Sequence, residues 1–216
     1  MRKNLIPVIL DTDIGTDIDD TWALIQMLGI SRLDPRLILT VGGDTRYRAL
    51  LTAKLLEKAY RTDIPIALGP VSAAYSRFQL EYIADFIEAD YDGLIIDDGL
   101  DAVRDIITNS FEPITIISIG PASNIAELIK SDPSIPSKCR LVAMYGSVRK
   151  QYNGKDGAVA EANVKADIPA CKAVLQAAWK ETILVPLDSC GSVQLKGERY
   201  KSIYNSDRPL LQELMY

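Results

Sequence analysis

Short apolar runs alternate along the chain with longer segments in which apolar residues recur at helical spacing. The apolar runs predict β-strands over 5–11, 37–43, 64–69, 114–120, 139–146 and 181–188. The segments between them predict helices over 19–31, 45–60, 98–109, 122–130, 168–179 and 207–215. The stretch 70–97 is less regular and more aromatic, and a helical excursion is expected there. Apolar strands that alternate with helices indicate an α/β fold, with a mostly parallel central sheet and helices on both faces in a Rossmann-like, doubly wound arrangement.

The first predicted strand runs directly into an acidic segment, VILDTDIGTDIDDTWAL over 8–24. Five carboxylates fall within ten residues: Asp11, Asp13, Asp17, Asp19 and Asp20. Like charges a few ångströms apart repel by roughly 1 kcal/mol or more even at moderate dielectric. The segment is therefore either largely solvated or a place where a positive group is bound.

The predicted topology places this acidic segment at the binding edge of the sheet, because ligands of parallel α/β sheets bind at the carboxyl ends of strands. Asp11 and Asp13 lie two residues apart and share one side of the strand. Asp19 or Asp20 is expected to cap the helix that begins with Thr21. Further polar or glycine-rich strand ends are expected at the same edge, over 42–45, over 118–124 and after Met144.

Composition and charge exclude several classes of function. The net charge of −5 argues against a nucleic-acid partner that is bound through its phosphates. No segment reaches the ~18 apolar residues of a membrane span, and the apolar part of the basic N-terminus is too short for a signal peptide. A cytoplasmic protein without a membrane partner is therefore expected. The chain has no histidine, which excludes Ser-His-Asp and Cys-His catalysis and leaves carboxylates, Lys, Tyr or an oxygen-bound metal.

The residues of the acidic segment allow two interpretations to be compared, one without a ligand and one with bound calcium. A solvated acidic turn with one helix cap needs no ligand. A calcium loop of the EF-hand type fails by position, because Gly15, Thr16 and Trp22 stand where an acid, a glycine and a glutamate are required.

An aspartyl-phosphate phosphatase is a third interpretation, with Asp11 as nucleophile, Asp13 as general acid and Mg²⁺ as cofactor. Gly15 stands where Thr or Val is expected. SIG over 118–120 could be the second phosphatase motif, but the late acidic motif, DDGLD over 97–101, precedes it instead of following it. A fourth interpretation is a preformed, oxygen-lined cation site that also binds a vicinal diol.

The segment DTDIGTDIDDTWAL resembles the N-terminal signature of the inosine-uridine-preferring nucleoside hydrolase family, usually DxDxGxDDAxAL. Two extra residues precede the final Asp pair here, and Thr21-Trp22 stands where alanine is typical. IGPASNIAEL over 119–128 is similar to the family's GPLTNLA segment, and VAEANVKADIPA over 159–170 resembles its AEFN-containing segment. The resemblance implies calcium-dependent hydrolysis of the N-glycosidic bond of ribonucleosides, which releases ribose and the free base.

The resemblance also implies a Ca²⁺ site at the bottom of a pocket. Asp13 and Asp20 would contribute carboxylates, and Ile119 its main-chain carbonyl. Hard oxygen ligands suit Ca²⁺ and suit a chain without histidine. Asp13 would in addition be the general base that activates the attacking water.

Substrate contacts are implied by the same resemblance. Asp19 would accept a hydrogen bond from a ribose hydroxyl, while Glu161 and Asn163 would contact the sugar from the opposite wall. Asp44, at the end of the second predicted strand, is either a further pocket residue or the N-cap of the helix from Thr45. Asp17 belongs to the two-residue insertion and is assigned no role.

The sequence departs from the family after residue 188. Family members are longer and carry a later acidic residue that completes the calcium site, often beside a histidine, and no such motif follows here. Residues 1–216 are therefore expected to form a single domain, shortened at its C-terminus, that binds a nucleoside and assembles into homo-oligomers. Binding of a nucleoside or ribose without hydrolysis, at an incomplete calcium site, is the alternative function.

Overall fold

The computed structural model of the protein describes residues 5–73 and 76–215. Across these residues one sheet is formed by the strands β1 (Ile6–Thr12), β2 (Leu33–Thr40), β3 (Ile66–Leu68), β4 (Ile95–Ile96), β5 (Ile114–Ser118), β6 (Cys139–Ala143) and β7 (Glu181–Leu184). The α-helices are α1 (Asp19–Gly29), α2 (Thr45–Lys58), α3 (Gly99–Asn109), α4 (Ser123–Ser131), α5 (Ile135–Lys138), α6 (Ala162–Ala166), α7 (Ile168–Gln176), α8 (Leu187–Cys190), α9 (Gly197–Tyr204) and α10 (Pro209–Gln212).

The order of the strands across the sheet is β4-β3-β2-β1-β5-β6-β7, and each pairing is parallel. The chain moves outward from β1 to β4 and then returns to β5 on the other side of β1. The strand order therefore reverses between β1 and β5, and in such sheets a ligand crevice opens at the carboxyl ends of the two strands beside the reversal. Asp11 of β1 lies in register with Ser118 of β5 at that end.

Helices cover both faces of the central strands, which explains why these strands are apolar throughout. Val8 and Leu10 of β1 pack in one core with α1 and α2, whereas Ile9 packs on the opposite face with α3, α4 and α7. All three side chains are fully or almost fully buried. Each contributes roughly 2 kcal/mol of burial free energy, so β1 is anchored from both sides and its polar end is fixed in place.

The expected sheet and helices are confirmed, with differences at their ends. The last predicted strand stops at Leu184, because Pro186 lies just beyond it and α8 follows. Helix α1 begins at Asp19 after an N-cap at Ile18, so neither acidic residue is the cap that the sequence suggested. The Asp20 carboxylate accepts a hydrogen bond from the Thr12 hydroxyl instead.

The helical excursion expected over 70–97 is wrong for the described part of that stretch, and residues 74 and 75 lie outside the described residues. The chain forms two single 3₁₀ turns, Glu81–Ile83 and Glu88–Asp90, and then the short strand β4. Two paired residues are too few to produce a recognisable apolar period, which is why β4 escaped prediction.

Candidate functional site

Four strand ends meet at the carboxyl edge of the sheet and form the base of the candidate site. Main-chain hydrogen bonds extend the ladder past the strands there: Ile119 N donates to Asp11 O at 2.9 Å, and Met144 N donates to Ser118 O at 2.9 Å. On the other side of β1, Val41 N donates to Thr12 O at 3.0 Å. The loops that leave β1, β2, β5 and β6 therefore start from one rigid platform.

Asp13 and Asp20 are two largely buried carboxylates at this edge, each with only 7% of its surface exposed. Burial raises the pKa of Asp13, and burial together with the charge of Asp13 raises the pKa of Asp20 well above its usual range. The two groups are thus close enough to repel each other when ionised. Such a pair favours either a proton or a cation between the carboxylates.

Gly120 allows the Asp13 carboxylate to approach the loop after β5. A Cβ atom at this glycine would lie 2.8 Å from the Asp13 main-chain nitrogen and 3.0 Å from Asp13 Oδ1. Only a residue without a side chain fits such a contact. The main chain next to Ile119 and the carboxylate of Asp13 therefore share one side of the site.

Asp11 lies behind the pair and is fully buried. Its carboxylate accepts hydrogen bonds from Ser118 Oγ and from Asn124 Nδ2, both at 2.9 Å, and the Ser118 hydroxyl contacts the Tyr145 hydroxyl at 2.7 Å. Burial raises the pKa of Asp11 to about 7. A carboxylate enclosed in this way is not available as a phosphatase nucleophile, which disfavours that interpretation.

Asn163 and Glu161 reach the same edge from the segment that begins α6. Asn163 Nδ2 donates to the Ile119 carbonyl at 2.8 Å and to the Met144 carbonyl at 3.1 Å. The Glu161 carboxylate caps α6 and accepts hydrogen bonds from the main-chain N–H groups of Gly146, Asn163 and Val164. The structure thus brings Asn163 and Ile119 together. The Glu161 carboxylate is instead occupied by main-chain hydrogen bonds to the loop after β6 and to the start of α6.

Asp19 and Asp44 lie at the rim of the site, where both residues are exposed. Asp19 Oδ1 accepts a hydrogen bond from Asp20 N at 3.2 Å. Asp44 is the N-cap of α2, since its carboxylate accepts a hydrogen bond from Tyr47 N at 3.0 Å, and it also pairs with Arg77 at 3.2 Å. Asp17 is exposed and lies in the insertion.

Sequence reasoning missed Arg48, which lies under the acidic segment and is 1% exposed. Its guanidinium donates to main-chain carbonyls of the loops that follow β1 and β2. One signal was present in the sequence, because Arg48 falls three and seven residues before Leu51 and Leu55, in the apolar stripe of α2. A charged residue inside such a stripe indicates a specific buried partner.

The oxygen atoms at this edge are suitable ligands for a hard cation. Asp13 and Asp20 offer two buried carboxylates. The Ile119 carbonyl, which accepts a hydrogen bond from Asn163 Nδ2, belongs to the loop after β5 at the same edge. Hard cations prefer oxygen ligands of these kinds. Among residues 5–73 and 76–215, no three or more Asp, Glu or Cys side chains gather as a metal cluster. The protein would therefore bind a cation through a small number of carboxylates and main-chain carbonyl oxygen.

The described helices include none long and apolar enough to cross a bilayer.

Comparison with known proteins identifies relatives of the chain. The sequence profile of the inosine-uridine preferring nucleoside hydrolases matches residues 8–215. The pyrimidine-specific ribonucleoside hydrolase RihA of Escherichia coli is 29% identical over 227 aligned positions, which cover 97% of this chain and 70% of that protein.

Solved structures share the fold. A plant nucleoside hydrolase, PpNRh1, superimposes with a TM-score of 0.75 at 25% identity, over 97% of this chain and 68% of that one. An inosine-uridine preferring nucleoside hydrolase from Bacillus anthracis gives a TM-score of 0.80 at 17% identity, over 97% of this chain and 75% of that one, a likeness that shows the fold alone.

Proposed function

The chain belongs to the inosine-uridine preferring nucleoside hydrolase family, whose members hydrolyse N-glycosyl bonds, and from this membership we propose that it cleaves ribonucleosides to ribose and free base with the help of Ca²⁺. The observation that carries the proposal is the pair of buried carboxylates, Asp13 and Asp20, at the strand end beside the reversal of strand order. Without a bound cation, burial and mutual repulsion would disfavour ionisation of these two carboxylates.

Asp13, Asp20 and the main-chain carbonyl of Ile119 are the residues that would bind the cation. A bound Ca²⁺ would supply a polarised water and a contact to the vicinal hydroxyls of the ribose. The hydrogen bond from Thr12 orients the Asp20 carboxylate, and the contact with Gly120 limits the positions open to Asp13.

Asp13 acts as the general base in this proposal. It accepts a proton from the water that attacks C1′ of the ribose. The N-glycosidic bond breaks with its electron pair passing to the nucleobase nitrogen, which takes up a proton from solvent, and Asp13 afterwards releases its proton to solvent. The sugar becomes cationic in the transition state, and the anionic carboxylates beside it stabilise that charge.

Asp19 and Asn163 are the proposed ribose contacts, from the rim and from the opposite wall. Asn163 has its amide donor directed to the Ile119 carbonyl, so its carbonyl oxygen remains the group for a sugar hydroxyl. Contacts of Glu161 and Asp44 with the substrate stay predictions. The carboxylate of each residue also caps a helix.

Ribose release by the purified chain tests the proposal. Inosine and uridine are both supplied, since the similar proteins are named for both purine and pyrimidine nucleosides. We expect release with added Ca²⁺, loss of release with excess chelator, and recovery when Ca²⁺ is restored. Release that persists in chelator would refute the calcium requirement, and nucleoside binding without release by a folded chain would favour the non-catalytic alternative.

A further inference from the structure

Arg48 is a buried cation that the proposed chemistry does not use directly. It lies one turn into α2, and its side chain is among the largest that are fully buried. Its Nε donates to the Gly42 carbonyl at 2.6 Å, and its Nη1 donates to the Ile14 carbonyl at 2.8 Å and to the Asp13 carbonyl.

These carbonyls belong to two different loops, the one that follows β1 and the one that follows β2. Gly42 adopts a left-handed conformation with φ of 78°, which only glycine tolerates readily, and its carbonyl accepts the hydrogen bond from Arg48 Nε. The guanidinium therefore joins both loops through their main-chain carbonyls, one of which is that of Asp13 itself.

Burial of a guanidinium is costly unless its donors are satisfied, so a simple packing role would be better filled by an apolar side chain. Here the guanidinium donors are satisfied by main-chain carbonyls of two loops, one of which contains Asp13. The position therefore acts as a geometric restraint on that loop.

We propose that Arg48 is a positioning residue for the reaction, which fixes the main chain around Asp13 so that the cation-binding loop is already formed before the cation binds. This inference rests on the proposed function. It requires that the loop from Asp13 to Thr16, closed by the hydrogen bond from Thr16 N to Asp13 O at 3.2 Å, is ordered in the metal-free protein.

Substitution of Arg48 tests the inference against a purely structural role. Arg48→Met keeps an unbranched apolar stem and removes the guanidinium donors, whereas Arg48→Lys keeps the charge and loses the planar fork. Arg46→Met is the matched control, because Arg46 lies on the same helix but is exposed and pairs with Glu88 and Asp97.

Calcium affinity, measured by titration calorimetry on folded protein, is the main readout. We expect Arg48→Met to weaken calcium binding about 10- to 100-fold, the range found for residues that orient metal ligands, with a matching fall in kcat/KM. Arg48→Lys should recover part of the affinity, and Arg46→Met should leave it within about twofold of wild type. Unchanged calcium affinity in a folded Arg48→Met protein would overturn the inference.

Hydrogen exchange of the wild-type protein gives a test that does not depend on whether the variants fold. Amides of residues 13–16 should be protected in chelator almost as well as in Ca²⁺. Protection that arises only with Ca²⁺ would overturn the inference. Calcium binding and ribose release by the wild type are measured first, so that a failure of the proposed function itself is recognised separately.

Discussion

Asp13 and Asp20 bring like charges into a region from which water is largely excluded. Because burial and mutual repulsion raise their pKa values, the ionised pair destabilises the metal-free fold at neutral pH. A bound cation would reverse this penalty and would stabilise the folded state by mass action. Function and stability are therefore opposed at these two residues when the metal is absent.

Asp13→Asn separates the two effects. We expect kcat/KM for ribose release to fall by about 10³-fold, because the general base is lost. The melting temperature in chelator should stay level or rise, since one of two repelling carboxylates has been neutralised. Asp17→Asn is the control: Asp17 is exposed, and its substitution should leave both quantities unchanged. An Asp13→Asn protein with near wild-type turnover would exclude Asp13 as the base.

The N-terminus of α2 shows how one side chain can serve an element and a site together. Asp44 caps this helix, and its carboxylate also pairs with the exposed Arg77. Asn is as good an N-cap as Asp, whereas Ala is poor. The two substitutions therefore test the cap independently of the charge.

We expect Asp44→Ala to lower the free energy of unfolding by about 1 kcal/mol and Asp44→Asn to change it by only a few tenths. Urea unfolding measures both. A substrate contact by the carboxylate would appear in a different way, as an equal loss of kcat/KM in both variants. Equal stability of the two variants would contradict the capping role.

A carboxylate from α8 holds the middle of the loop after β6. Asp188 accepts hydrogen bonds from the main-chain N–H groups of Val148 and Arg149, both at 2.8 Å, and of Lys150 at 3.2 Å. The main-chain donors, that of Val148 first, lower the pKa of Asp188 below its usual value. This loop also contains Tyr152, whose hydroxyl accepts a hydrogen bond from Ala162 N at the start of α6.

A lowered pKa in the folded state means that Asp188 stabilises the fold above its unfolded pKa of about 4, and that this contribution is lost as the pH falls through the folded value. Asp188→Asn should therefore melt below wild type at pH 7, and the difference should shrink as the pH approaches 3. Asp207→Asn, an exposed control, should match wild type throughout. A difference that is independent of pH would contradict this role of the charge.

At the scale of the whole molecule, the C-terminal region packs in the hydrophobic core that lies on one face of the first strand. Leu214 is buried in the same cluster as Val8 of β1 and the apolar residues of α1 and α2. We therefore propose that residues 1–216 form a single domain. Unfolding in urea should show one transition that coincides by circular dichroism and by Trp fluorescence, and two separated transitions would contradict the proposal.

Within residues 5–73 and 76–215, strand β7 forms one edge of the sheet. All four of its residues are exposed, and Ile183 and Leu184, which point to opposite faces, are 49% and 45% exposed. Exposed apolar edges of this kind promote association. Homo-oligomers stay a prediction, and we propose β7 as the place of the contact.

We expect the chain to associate as its concentration rises, as judged by sedimentation velocity. The double substitution Ile183→Lys with Leu184→Lys should shift the distribution toward the monomer, because charges on an edge strand oppose pairing. Ile168→Lys, at an apolar residue that is 60% exposed but lies on α7, serves as the control. Equal association of all three proteins would place the contact elsewhere.

The sequence by itself was sufficient for the fold class and for six of the seven strands in the described residues, because the apolar period along the chain reflects burial on two faces of a parallel sheet. It also sufficed to place Asp11, Asp13 and the Asp19–Asp20 pair at the carboxyl edge, since they lie at the end of the first strand or in the segment that leads from it to the first helix. The local spacing of residues determines the strands and the position of the acidic residues relative to them, and the tertiary structure agrees with both.

Only the tertiary structure could decide how the side chains are partnered. It showed that Asp11 is enclosed by Ser118 and Asn124, residues more than 100 positions away along the chain. It likewise showed that Arg48 joins two loops and that α1 begins at Asp19. Long-range hydrogen bonds of this kind depend on which strand ends become neighbours, and no local pattern of residues encodes that choice.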